Sequence, residues 1–247
     1  MAAANEKDNN KTELVRTIVE RHLIPMERYI YGIADVEGVL DPQFSAFRSG
    51  ISIGQRLDDG IVDDITSGPT LEYYELYKKT NQDLSILSNR IAQELNLNGV
   101  ETACVEPSIT TKSLDSDHSI TLRTRLSHKM VATRAGMGWI GKTALLISKE
   151  FGPRFRLVTV LTDAKLHSNT HPINKSRCGK CNLCVEACPA DAATGQLWDT
   201  SLDRDVFFNA QKCRDQCQEF GDRLLGGEGR ICGICVSVCP IGINSRN

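Results

Sequence analysis

The run Cys178-Gly-Lys-Cys181-Asn-Leu-Cys184-Val-Glu-Ala-Cys188-Pro189 carries the densest chemistry in this 247-residue chain. Its C-x2-C-x2-C-x3-C-P spacing sets three thiolates around one [4Fe–4S] cubane and sends the fourth elsewhere. A shorter copy follows, Cys232-Gly-Ile-Cys235-Val-Ser-Val-Cys239-Pro240, and Gly229 stands where a complete copy would begin with cysteine. The missing ligand must then come from Cys213 or Cys217 across a longer loop. The region from Cys178 to Cys239 holds nine cysteines, so two cubanes with four thiolates each leave one over.

Crossed ligation of the two-cluster kind assigns Cys178, Cys181, Cys184 and Cys239 to one cluster, and Cys188, Cys232, Cys235 and Cys213 to the other. Cys217 lies one helical turn beyond Cys213, so both stay open as the eighth ligand. Structural zinc normally pairs two C-x2-C knuckles across a long loop, and a third thiol at x2 crowds a single ion. Disulfides fit no better. The N-terminus Met1-Ala-Ala-Ala-Asn-Glu-Lys-Asp8 lacks the apolar core of a signal peptide, which points to reduced thiols in a cytoplasmic protein. Cys104, far upstream in an apolar stretch, reads as a small buried residue.

A second motif, Ala135-Gly136-Met-Gly138-Trp139-Ile140-Gly141-Lys142-Thr143, matches both G-x-G-x-x-G and G-x4-G-K-T. Either nucleotide mechanism needs a strand before the glycines and a helix after them. Here the order is reversed, because Leu126 to Arg134 has helical composition and Thr143 onward reads as strand. Leu157 to Asp163 resembles the apolar run and aspartate of P-loop proteins, which keeps nucleotide hydrolysis as a competing reading. Gly136, Gly138 and Gly141 suit close backbone approach to a flat or phosphorylated ligand, and would serve equally in a turn without one. Trp139 and Ile140 would wall a pocket or pack in a core. His128 and Lys129 are candidates for proton exchange and anion pairing, or form a solvated pair. From Arg123 to Arg156 the chain has eight Lys or Arg residues against one acid, Glu150, which suits an anion-facing segment or scattered surface charge.

The elements that must hold these residues follow from periodicity. Leu14, Val15, Ile18, Val19 and Leu23 mark an amphipathic helix ending before Pro25. Tyr29–Ala34 and Ile51–Ile53 read as short strands, the second set between turn-forming glycines. A helix over Leu71–Leu95 buries Leu84, Leu87, Ile91 and Leu95 and stops at Gly99, and Val100–Val105 follows as a strand. Arg123–Ala135 reads as a helix closed by Gly136. Ala144–Ile147 and Phe155–Leu161 suggest a hairpin around Phe151-Gly152-Pro153. This order predicts an α+β fold with a mixed sheet in residues 1–170, a polar linker from His167 to Ser176, and a cluster domain over 171–247. The net charge of −2 argues against a general nucleic-acid binder, and no apolar run approaches a membrane span.

Ala135-Gly-Met-Gly-Trp-Ile-Gly-Lys142, then Leu145-Leu-Ile147, Phe155-Arg-Leu-Val-Thr-Val-Leu-Thr-Asp163 and the double cysteine motif together resemble the epoxyqueuosine reductase family and related reductive dehalogenases. The resemblance implies a nitroreductase-like mixed α/β domain that binds cobalamin, followed by a two-[4Fe–4S] ferredoxin-like domain that feeds electrons to cobalt. It implies cofactor contacts at Gly136, Gly138, Trp139, Gly141 and Lys142, and a donor protein of the reduced ferredoxin or flavodoxin type. In tRNA-modifying members the reduced corrinoid removes an epoxide oxygen from a tRNA base. Family reductases also carry an Asp-Ser/Thr-x-Pro-type segment upstream of the glycines. The stretch Thr121 to Lys129 has neither acid nor proline, so that catalytic role does not transfer. The sequence ends eight residues after Cys239, without the helical-repeat extension linked to tRNA binding, which leaves tRNA open as a substrate. The expectation is an iron–sulfur oxidoreductase delivering electrons to a cofactor or substrate in the N-terminal domain. The alternative is a ferredoxin-like accessory carrier with no catalysis of its own.

Overall fold

The computed structural model describes residues 2–108 and 120–243. Helix α1 (Ala2–His22) forms because Val15, Ile18, Val19 and Leu23 share one face, and all four are buried. Leu14 sits off that stripe and is exposed. Arg21 and His22 in its last turn complement the negative end of the helix dipole.

Strands β1 (Tyr29–Asp35) and β2 (Ser49–Arg56) pair antiparallel, from Tyr29 opposite Gln55 to Asp35 opposite Ser49. The glycines around Ile51–Ile53 are therefore not turns: Gly50 and Gly54 lie inside the ladder. At Gly50 an added Cβ would stand 2.7 Å from Val131, so the missing side chain lets a helix approach the sheet.

After α2 (Asp59–Asp63), capped by the Asp58 carboxylate, α3 (Leu71–Leu97) runs as expected with Leu84, Ile91 and Leu95 buried. Gly99, at φ +72°, closes it. Strand β3 (Thr102–Val105) follows. Helix α4 (His128–Arg134) is shorter than expected, because the Ser127 hydroxyl accepts from the Met130 N–H and starts the helix there rather than at Arg123.

The expected hairpin of Ala144–Ile147 with Phe155–Leu161 does not form. Instead β4 (Trp139–Ile140) pairs with β5 (Leu146–Ile147) around a tight turn in which the Gly141 N–H donates to the Leu145 carbonyl at 2.8 Å. Strand β6 (Phe155–Thr162) joins the main sheet, whose order is β1-β2-β6-β3, and pairs antiparallel with β3. Phe151-Gly152-Pro153 does not join β5 to β6 as a hairpin tip: Ser148 and Gly152 exchange backbone hydrogen bonds at 2.9 and 3.1 Å across a short turn of their own, and the carbonyl of Ile241 fills the space a Gly152 side chain would need.

The chain gathers into two compact units that interleave along the sequence. The first takes residues up to 55, 81–137 and 156–173, around Val15, Ile33, Ile51, Leu84, Ile91, Val158 and Val160. The second takes 56–80, 138–155 and 174 onward, around Leu57, Val62, Ile65, Tyr73, Phe220, Ile231, Ile234 and Val236. Among the described residues no helix is long and apolar enough to cross a membrane.

Candidate iron–sulfur site

Two short helices in the second unit carry the middle cysteines of the two motifs. Cys184 lies in α5 (Leu183–Glu186) and Cys235 in the last helix, Ile234–Ser237, and the two helices touch. Between them, α6 (Arg204–Phe207) leads into α7 (Ala210–Leu224), capped by Asn209, and the last helix is thus α8. Cys213 and Cys217 stand on α7, four residues apart. Gly221 of α7 allows close packing, since a Cβ there would overlap the carbonyl of Gly229. Gly229 itself has φ +78°, and a Cβ on it would stand 2.5 Å from the Tyr74 ring. Tyr74 therefore takes the room of the absent cysteine, and the loop that would have carried it instead docks the helix bearing Cys213.

The thiols sort into two sets that cross between the motifs. Burial raises the Cys239 thiol to about 11, and Cys184, Cys178 and Cys181 add to the rise. Burial raises Cys184, reinforced by Cys178 and Cys181. Cys232 is raised to about 11 by burial, and its sulfur neighbours are Cys213 and Cys188. Cys235 is pushed up by burial and then by Cys232 and Cys213, with Cys184 of the first motif a smaller contributor. Cys217 is raised first by its hydrogen bond with Cys213, then by burial, with Cys232 and Cys235 further contributors. The last cysteine of the second motif thus stands with the first three of the first, and Cys188 stands with the second. Among the described residues, no three His, Cys, Asp or Glu side chains gather closely enough to hold one metal ion. A cubane spreads its thiolates over four iron corners, and these sets fit that demand.

The glycine–lysine–threonine turn lies against the thiols. The Trp139 indole N–H donates to Cys178 Sγ at 3.3 Å, and the Arg177 guanidinium lies 5.8 Å from the Trp139 ring centroid. Lys142 is buried and its ammonium donates to Asn182 Oδ1 at 2.6 Å, just ahead of α5. The buried Thr143 hydroxyl lies beside Cys184 and Cys235, one thiol from each set, and tempers the rise of both. The glycines are filled from inside the protein. A Cβ at Gly138 would overlap the Ile147 carbonyl, one at Gly141 would meet Ile147 at 3.0 Å, and one at Gly136, in the first unit, would meet Thr170 at 2.8 Å. The turn thus offers no open cradle for a corrinoid or a phosphate. No helix follows Thr143, and Asp163 accepts from the Glu101 N–H at 3.0 Å, so the context a P-loop needs is lacking.

In the first unit His128 is held at both ring nitrogens. Nε2 donates to the Glu106 carbonyl at 2.9 Å, which leaves Nδ1 to accept from the Thr159 hydroxyl at 2.8 Å. Loss of water lowers its pKa to about 4, helped by the charges of Arg156 and Lys129, so the ring is neutral at pH 7. Neither a solvated pair with Lys129 nor a free proton donor describes it. The basic segment does not converge on an anion either. Arg134 donates to the Asp35 carbonyl, Arg156 to Asn81, and Arg125 to Gln43. Arg154, 1% exposed, pairs with Asp59 and Asp63 of α2 and donates to the Ser237 carbonyl beside Cys235. Cys104 packs against the core with its thiol on the Ser88 carbonyl, as a structural residue should.

Thr143, Arg154, Arg177 and Tyr74 escaped the reading of the sequence. Thr143 was in view only as part of a phosphate motif, and a lone Arg or Tyr carries no spacing signal.

Residues 177–242 match the family described as a 4Fe-4S double cluster binding domain. The chain is 35% identical over 115 residues to an epoxyqueuosine reductase from Leadbetterella byssophila, a match covering 45% of this chain and 36% of that protein. In fold it is similar to an epoxyqueuosine reductase solved with a modified tRNA-Tyr stem loop, at TM-score 0.59 and 17% identity over 94% of this chain and 66% of the other. It is also similar to a reductive dehalogenase whose structure suggests a mechanism for B12-dependent dehalogenation, at TM-score 0.62 and 14% identity over 85% of this chain and 29% of that one. The sequence match thus spans about a third of the curated relative's length. These likenesses bear out the resemblance to epoxyqueuosine reductases and reductive dehalogenases, the mixed α/β architecture and a C-terminal 4Fe-4S domain.

Proposed function

We propose that this protein is an iron–sulfur oxidoreductase with two [4Fe–4S] clusters, held by cysteines of the 171–247 region, that delivers single electrons to an acceptor bound by the 1–170 region. One cluster is assigned to Cys178, Cys181, Cys184 and Cys239, the other to Cys188, Cys213, Cys232 and Cys235. The observation that carries this reading is the company of Cys239: its sulfur neighbours are Cys178, Cys181 and Cys184, across the motif boundary. Crossed ligation of that kind belongs to a pair of cubanes, and bound cubanes supply low-potential one-electron transfer.

The chain's own residues do the rest. The thiolates fix the clusters, α7 brings the ligand that Gly229 cannot supply, and partial burial of the thiols, the exposed Cys181 excepted, limits water at the sulfurs. A reduced ferredoxin or flavodoxin is the proposed donor, in the reducing cytoplasm that such thiolates require. A corrinoid is the proposed acceptor on the strength of the dehalogenase likeness, with a nitroreductase-like domain around it, and tRNA is a candidate substrate on the strength of the reductase likeness. The glycine turn is filled by protein, so no step is placed on a corrinoid there.

Anaerobic purification followed by iron, sulfide and cofactor analysis, with EPR of the dithionite-reduced protein, tests this reading. About eight irons and eight sulfides per chain are expected for two cubanes. Colourless protein, or zinc without acid-labile sulfide, would end it. Cobalamin titration tests the acceptor separately, through a change in the corrinoid spectrum. The accessory-carrier reading draws support from His128, whose two nitrogens are both engaged and whose ring is neutral. Turnover of no corrinoid-dependent substrate, with both clusters reducible, would favour it.

A further inference from the structure

We propose that the Trp139 indole N–H, carried on the turn from Gly138 to Thr143, is a hydrogen-bond donor to a cluster thiolate and raises the reduction potential of the cluster on Cys178. This rests on the reading that Cys178 is a cubane ligand. The motif looks in sequence like a phosphate loop, and its tryptophan turns its one polar group to a cysteine sulfur instead.

Several independent contacts converge. The Trp139 side chain is buried, and its indole has one donor and no acceptor, so the N–H must be spent on a partner inside the protein. That partner is Cys178 Sγ, at 3.3 Å. Gly141 explains how the turn comes so near: a Cβ there would lie 3.6 Å from the same sulfur and 3.0 Å from Ile147. Arg177 faces the indole ring at 5.8 Å, adding a positive charge next to the ligand itself. Lys142 fixes the other side, because its bond to Asn182 ties the turn to the residue between Cys181 and the helix of Cys184.

Reduction adds one electron to a cluster and breaks no bond, and the added charge is shared by the ligand sulfurs. A donor aimed at such a sulfur binds the reduced form more strongly than the oxidised form, so it raises the potential. Trp139 donates to a sulfur of one set, so a shift confined to that cluster separates an electrostatic role from simple packing.

The test is an EPR-monitored redox titration of the full chain, its clusters reconstituted anaerobically and dithionite as reductant, on wild type and Trp139→Phe. Phenylalanine keeps an aromatic ring and removes the N–H. The expected result for Trp139→Phe is a downward shift of one cluster only, with about a tenfold lower reduced-to-oxidised ratio at fixed potential, or about 59 mV for one electron. Potentials unchanged in Trp139→Phe, or moved equally for both clusters, overturn the proposal. If that variant loses its clusters, pulsed EPR decides the matter on a Trp198→Phe protein labelled with 15N-indole tryptophan. A 15N coupling to the reduced cluster is expected, and its absence overturns the proposal. Failure of the cluster reading would show earlier, as wild type without iron and sulfide.

Discussion

The ring of Tyr74 stands 2.5 Å from where a side chain on Gly229 would begin, and φ there is +78°. Position 229 is the place a complete second cysteine motif would fill. Gly229→Cys should therefore fail as a repair. We expect it to destabilise the protein by about 2 kcal/mol or more, from left-handed strain and overlap together. Thermal unfolding of holoprotein reads this, and Tyr74→Ala in the same chain should recover part of the loss. A Gly229→Cys protein as stable as wild type would refute it.

Cys213 and Cys217 should separate on iron content. Cys217 shares a hydrogen bond with Cys213 that raises its own pKa, which suits a thiol left protonated beside a ligand. Cys213→Ser is expected to lose one cluster, about half the iron, and Cys217→Ser to keep both. The reverse pattern would make Cys217 the eighth ligand.

Arg154 ties α2 to the end of α8, and it is 1% exposed. Arg154→Met takes a buried cation away from Asp59 and Asp63, although Arg56 still pairs with Asp59, and removes the donor to the Ser237 carbonyl. The expected cost is about 2–4 kcal/mol, below the figure for a wholly buried pair because both carboxylates keep some water. Denaturant midpoints measure it, and faster cluster loss should accompany it. A shift within experimental scatter would show that the pair holds nothing.

His128 has a pKa lowered from 6.5 to about 4. Its unfolded form takes up a proton first as pH falls, so the stabilisation is fully present above pH 6.5 and drains away towards pH 4. The advantage at neutral pH is at most about 3 kcal/mol. The difference in unfolding free energy between wild type and His128→Gln should shrink from pH 7.5 to 4.5, and comparing the two proteins cancels acid damage to the clusters. A difference independent of pH would mean that the ring has the same pKa folded and unfolded.

Much of this molecule was open to reading from the chain itself. The helices ending before Pro25 and at Gly99 were legible because each has an apolar stripe and a hard stop. The cysteine motifs were legible because metal ligation imposes spacing, and residues 177–242 match a 4Fe-4S double cluster binding domain. The hairpin after Gly141 was misread, since β5 is only two residues long and its partner, Trp139–Ile140, lay inside what looked like a loop. Gly50 was misread for a related reason: period-two patterning cannot tell a turn glycine from one that admits a helix. The contact of Trp139 with Cys178 was invisible because a single tryptophan in a glycine motif carries no spacing signal.

The interleaving of the two units constrains how this protein can be rebuilt. Phe220, Ile231, Ile234 and Val236 bury themselves against Leu57, Val62, Ile65 and Tyr73, which arrive from far earlier in the chain. The cysteine-bearing part is therefore no detachable cassette: a graft beginning at residue 171 would arrive with half its interior missing, and a workable transplant must carry 56–80 and 138–155 along with it.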